Sequence, residues 1–173
     1  MNLVTLKDTH DRLQKAEVFL DFQKEHPDAY LAHAFIMADQ DAWSEWQLGY
    51  YLKGKDTIST FFMDDEITQS PASEIFKKDK RPLGGLELDK VNFTLDKALE
   101  KARALLKKDH AGEIITKTLV ILQTLEQGQV FNITFVSQAF NTINVKLATD
   151  SLDVKQVKKQ SLLDMGKSLS KAS

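Results

Sequence analysis

The chain contains no cysteine, which excludes disulfides, thiolate nucleophiles and zinc–thiolate centres. Its seven glycines supply no phosphate loop: Gly84-Gly85 is an isolated pair, without the lysine and the serine or threonine that such a loop needs behind it. Four histidines, His10, His26, His33 and His110, are scattered, with no His-Glu-x-x-His helix. No serine sits in a nucleophile-elbow pattern. Charge of either sign is not in excess: the net value is −2, which argues against nucleic acid as partner, since phosphate binding needs a concentrated basic surface. No apolar run approaches the roughly 20 residues of a membrane-spanning helix. The start, Met1 to Asp8, has neither the basic opening nor the apolar stretch of a signal peptide, so a cytoplasmic protein is expected if Met1 is the native start.

What the chain does have is an internal echo. Trp46-Gln47-Leu48-Gly49-Tyr50-Tyr51 aligns with Phe131-Asn132-Ile133-Thr134-Phe135-Val136, an offset of 85 residues (131 − 46). The same offset places Asp56-Thr57-Ile58 on Asn141-Thr142-Ile143, Phe62 on Leu147, and Tyr30 to Met37 on Ile115 to Leu122. An offset shared by separated segments points to a repeated supersecondary unit. At 173 residues the chain is one domain or two small ones. A unit of about 85 residues buries too little surface to be comfortable alone, so the copies are expected to share a sheet or pack tightly.

Each unit reads as helix–strand–strand–strand. Thr5, with Asp8 three residues on, opens a helix whose apolar positions Leu6, Leu13, Ala16 and Leu20 run toward His26, where Pro27 stops it. Ala29 to Asp39, Trp43 to Lys53 and Thr57 to Asp64 read as strands, with Gly54 in the turn between the last two. Thr94 opens a second helix, Ala98, Leu99, Ala102, Leu105 and Leu106 form its stripe, and Gly112 follows its end. Glu113 to Leu125, Gln129 to Ser137 and Asn141 to Ala148 are the matching strands. His26 and His110 recur near the two helix ends, where an imidazolium interacts favourably with the helix dipole.

The expected organisation is a first repeat over 1–66, a connection over 67–90 with a short helix near Ala72 to Phe76, a second repeat over 91–150, and a tail over 151–173. The connection carries the basic cluster Lys77, Lys78, Lys80 and Arg81. The tail is expected to be a short amphipathic helix, disordered from Lys167 on. The fold class is α+β: a duplicated helix–strand–strand–strand unit forming antiparallel sheets, with the helices packed on one face.

Strand alternation assigns the faces. Trp46, Leu48, Tyr50 and Leu52, with Phe131, Ile133 and Phe135, share the core face, and Ile58, Thr60 and Phe62 are matched to Ile143, Val145 and Leu147. The opposite face is polar in the second unit, at Asn132, Thr134, Thr142, Asn144 and Lys146. In the first unit it gathers Tyr51, Phe61 and Met63, with His33, Phe35 and Met37 as neighbours. Tyr51, Phe61, Met63 and His33 are therefore the candidate interaction surface, unless the tail, the connection or the other unit covers them.

Thr94-Leu95-Asp96-Lys97-Ala98-Leu99 opening a helix, followed by an aromatic-led hairpin ending in Asn144-Val145-Lys146-Leu147-Ala148-Thr149-Asp150, resembles the PepSY-type domain. Val4 to Asp8 and Trp46 to Asp65 look like a more diverged copy, so the resemblance spans most of the chain as a tandem pair. It implies small units similar in shape to cystatin-like folds, and non-catalytic roles that include inhibition of peptidases. The family has no shared catalytic residues.

These readings lead to a non-catalytic protein-binding or regulatory module, with another protein or a second copy in a homodimer as its partner. No catalytic, cofactor-binding or metal-binding residues are assigned. Asp64-Asp65-Glu66 is the densest acidic cluster, but it lacks calcium-loop spacing. The alternatives are a small-ligand binder with a pocket between helices and sheet, lined by Tyr50, Trp46 and Phe135, and an enzyme without a recognisable motif.

Overall fold

Threonine capping fixes where two of the helices start. In the computed structural model, which describes residues 5–75 and 80–171 (side chains of 167–171 excepted), Thr5 Oγ1 accepts the Asp8 N–H at 3.3 Å and opens α1 (Leu6–Gln14). Thr94 Oγ1 accepts the Lys97 N–H at 3.3 Å and opens α3 (Leu95–Asp109). The single first helix expected from the spacing is two: the chain breaks at Lys15–Ala16, with Ala16 extended at φ −76° and ψ 135°, before α2 (Glu17–Glu25). The break lets Leu13, Phe19 and Phe22 all bury against the sheet. α2 ends at His26, ahead of Pro27.

The strands are β1 (Tyr30–Asp39), β2 (Ala42–Trp43), β3 (Gln47–Leu52), β4 (Thr57–Met63), β5 (Ile67–Gln69), β6 (Ser73–Glu74), β7 (Ile115–Leu125), β8 (Gly128–Ser137), β9 (Asn141–Ala148) and β10 (Val154–Ser161), and α4 (Leu162–Lys171) follows. All ten join one antiparallel sheet in the order β10-β9-β8-β7-β1-β3-β4-β5, with β2 on β1 and β6 on β4.

This corrects the expected class. The molecule is built on a single large β-sheet rather than on duplicated helix-covered α+β units. The reason is the pairing of β1 with β7, continuous from His33↔Gln123 to Asp39↔Lys117, which fuses what would otherwise be separate halves. β2, β5, β6 and β10 then widen the sheet beyond three strands per side. Ser73–Glu74 forms a strand where a short helix was expected; Phe76, Lys77 and Lys78 lie outside the described residues. The tail is likewise not a helix followed by disorder. It adds β10 to the edge and then stays helical to Lys171.

A row of partners crosses the core face: Phe61, Leu48, Ala34, Leu122, Phe131 and Leu147, each at most 1% exposed. The three helices α1, α2 and α3 close over this face through Leu13, Phe19, Phe22, Ala98, Leu99, Ala102 and Leu106. Phe19 and Phe22 meet Phe61 edge-on, with ring centroids at 5.4 Å and 5.1 Å.

Phe61 and Met63 are thus core residues, at 0% and 1% exposure, and not part of an interaction surface. The first hairpin is one residue longer than the second. Carried across at the offset of 85, its Leu48↔Phe61 pair would become Ile133↔Lys146, but the pair formed is Ile133↔Val145. One residue of register turns every side chain of a strand to the other face. Ile58, Thr60 and Phe62 therefore point away from the helices, and Ser59, Phe61 and Met63 toward them.

Phe61→Ala leaves a void among Phe19, Phe22 and Leu48 and should cost about 3–5 kcal/mol. Urea denaturation would show this as a large fall in midpoint at unchanged slope; a fall of under about 1 kcal/mol would put Phe61 outside the core.

Candidate functional site

The two capped helix starts face each other. Thr5, Leu6 and Lys7 of α1 and Thr94, Leu95 and Asp96 of α3 line one cavity of ≈ 330 Å³, whose walls and floor are Val91, Asn92, Phe93, Trp46, Leu122 and Phe131. Helix geometry leaves the first N–H groups of each helix without an intrahelical partner, so both positive ends open on this space. Beside it, across Lys7, lies a second hollow of ≈ 470 Å³ bounded by His10, Asp11, Leu31, Tyr50, Leu86, Leu88 and Asp89. Together they make a groove between α1 and the segment 86–96, floored by the sheet.

The second hollow has a polar wall. His10 Nε2 lies 3.0 Å from Tyr50 Oη and 3.0 Å from the Gln14 side-chain amide nitrogen. A ring nitrogen that accepts from the amide carries no proton, so the neutral tautomer protonated at Nδ1 fits this geometry. Burial lowers the His10 pKa from its ordinary value, opposed by the Asp11 charge. Burial likewise pushes the Tyr50 phenol up, against the Gln14 contact, and it stays protonated. Burial thus favours the neutral form of both groups, which meet as hydrogen-bonding partners at this wall.

The structure separates the residues singled out from the sequence. Trp46 and Tyr50 do line the groove; Phe135, paired with Thr118 and Ile143, is buried in the core and does not. Tyr51 points to the face away from the helices but is only 1% exposed, packed with Ala32, Ile58, Tyr30, Ile75 and Leu83 and donating its hydroxyl to Asp56. The connecting segment covers it, so Tyr51 is not an exposed contact residue. His33 lies on the same face, paired with Gly49; a Cβ at position 49 would stand 2.1 Å from the imidazole, so glycine makes room for the ring. Burial lowers the His33 pKa. His26 and His110 sit at the C-caps of α2 and α3, donating their backbone N–H to Phe22 and Leu106. Arg12 reaches the carbonyls of Met63, Asp64 and Asp65, tying α1 to the acidic turn. Among the described residues no group of three or more His, Asp or Glu is placed to hold a metal ion.

Sequence reasoning missed the wall formed by 86–93: residues up to Lys90 read as a connection, and only the helix opened by Thr94 was expected. The wall's signal is the recurrence of Leu86, Leu88, Val91 and Phe93. His10 was missed because a histidine on an amphipathic helix carries no motif.

No family model and no curated protein matches the chain. Among solved structures, it is similar to the crystal structure of a "putative lipoprotein" from Clostridium difficile 630, with a TM-score of 0.53 and 14% identity over 83% of this chain and 91% of that one. At that identity the likeness concerns the fold. Among the described residues no helix is long and apolar enough to cross a membrane.

His10 and His33 give stability a pH dependence of defined sign. Both pKa values are lower folded than unfolded, so the unfolded state binds protons first. Their contribution is complete above the unfolded value of about 6.5 and is lost as pH falls through the folded values. Urea midpoints should hold near pH 7.5 and decline below about 6.5, and a His10→Gln, His33→Asn variant should flatten that decline. An equally steep decline in the variant would assign it to other groups.

Proposed function

We propose that the chain is a non-catalytic binding protein whose site is the groove between α1 and the segment 86–96, taking a small ligand with an apolar body and an anionic end. The observation that supports this is the cavity in which two capped helix starts meet over Trp46 and Phe131. Its size suits a small organic molecule, and its lining is mainly apolar with a few convergent polar groups. The helix ends favour negative charge, and Lys7 in the lining offsets the one acid there, Asp96. A non-catalytic binding role is also what the PepSY-like resemblance implies.

Fatty acids of about six to ten carbons test this by isothermal titration calorimetry, with amines of equal length as controls. The acids should bind and the amines should not. Leu95→Glu places a carboxylate in the cavity where helix α3 tolerates an acid, and should weaken the acids by about tenfold or more. Equal binding of acids and amines, or no effect of Leu95→Glu, would falsify the reading.

A second reading, contact with another protein or a second copy, is favoured by one observation. Phe35, Met37, Phe62, Leu119 and Ile121 all face away from the helices and are partly exposed, with Phe35 opposite Ile121 and Met37 opposite Leu119 across the β1–β7 pair. Light scattering after size-exclusion chromatography should find a dimer for the native chain and a folded monomer for Phe35→Ser. A monomer in both cases removes self-association.

A further inference from the structure

The two ends of the sheet are finished differently. At one end β5 and β6 are three and two residues long, a common way of blunting an edge that would otherwise template pairing. At the other end β10 runs for eight residues and, among the described strands, pairs only with β9. From Gln156↔Lys146 to Ser161↔Asn141 its register is unbroken, so its outer edge presents a regular row of backbone donors and acceptors. Every residue from Val154 to Gln160 is exposed, on both faces of the strand.

The charge of this edge runs against that of the chain. The whole sequence is net −2, yet β10 holds Lys155, Lys158 and Lys159 and no acid, and β9 beside it holds Lys146 and no acid. Lys146 donates to Asn144 at 2.9 Å and to Gln156 at 2.7 Å, and its pKa is lowered by burial and by the charge of Lys158. Lys159 is anchored 2.7 Å from Glu113, whose carboxyl is held down to about 2 by Lys159, Ser137 and Asn141. That ion pair ties the far end of β10 to the segment entering β7, so the edge is fixed in place as well as regular.

We propose that β10 is a docking edge for an extended acidic segment of another polypeptide, which adds a further strand to the sheet. Backbone pairing along β10 supplies the affinity, and Lys155 and Lys158 select the partner's acidic side chains. A second copy is a poor occupant, because each β10 brings three lysines and no acid, so two of them side by side would crowd like charge along one seam. The same lysines that keep like strands off the edge draw an acidic one to it. The site is independent of the groove: it lies at the sheet margin and uses none of the groove's residues.

A fluorescein-labelled peptide alternating glutamate with valine tests the proposal on the full chain by anisotropy, beside the same peptide with lysine for glutamate and one carrying prolines that block strand pairing. The expected result is binding of the glutamate–valine peptide alone, weakening with salt and falling at least tenfold in Lys155→Glu/Lys158→Glu, with slowed amide exchange along β10. Circular dichroism confirms that the variant is folded, and Lys155→Gln/Lys158→Gln, which removes charge without reversing it, should show an intermediate loss. Absence of binding, equal binding of the proline peptide, or an undiminished variant would overturn the proposal. Tighter binding of a single-stranded oligonucleotide or of anionic phospholipid vesicles than of the peptide would overturn it too, showing a charge patch rather than a strand site.

Discussion

The pairing of β1 with β7 is the constraint on which the rest of the molecule depends. Seven consecutive register pairs join residues 33–39 to residues 117–123. Without them β3 and β4 would hang on one small sheet and β8 and β9 on another, each with too little buried surface to stand well alone. With them, Ala34, Ile36, Val120 and Leu122 become the centre of one core, and helices from both ends of the sequence settle over a shared floor. The ten-stranded sheet is the sum of this join and of the short or exposed strands that extend it.

The groove follows from the same join. Because both halves are one sheet, α1, tied to β3 and β4, and α3, packed on β8 and β9, lie on the same face and their capped ends converge on one cavity. Trp46 from one half and Leu122 and Phe131 from the other then line the same space. Neither half alone could form that cavity. His10 and Tyr50, steadied by Gln14, belong to the first half only and give the second hollow its hydrogen-bonding wall.

What was legible in the sequence was local. Thr5 and Thr94 cap helices because a hydroxyl three residues before a backbone N–H is a matter of a few bonds, and both caps stand where the spacing put them. The strands around residues 30–39, 47–52, 57–63, 115–125, 128–137 and 141–148 also follow from short-range pattern. What failed was what depends on distant partners. The face of β4 turned on a single extra residue in its hairpin, invisible when the second hairpin was used as its template. The exposure of Tyr51 turned on Ile75 and Leu83 arriving from the connection. The lysine-rich tail gave no alternation that marks a half-buried strand, since β10 is exposed on both sides. The fold class was misjudged for the same reason: helices are readable one at a time, whereas the extent of a sheet is fixed by which edges meet.

The β1 strand carries a cost in time. From Tyr30 to Ala38 it has no Asp, Glu, Lys or Arg, and its run of Ala34-Phe35-Ile36-Met37 is the kind of segment that pairs indiscriminately when an edge is free. During synthesis its β3 partner emerges soon after it, but its β7 partner is not made until residues 117–123 leave the ribosome. At the usual rate of synthesis that interval is on the order of ten seconds. For that time this apolar, uncharged strand has one bare side, flanked only by Asp28 and Asp39 as charged guards. The strand that makes the native molecule a single body is also the one whose newborn form most needs shielding, so production of the chain should be more sensitive to translation rate and holding chaperones than its finished stability would suggest.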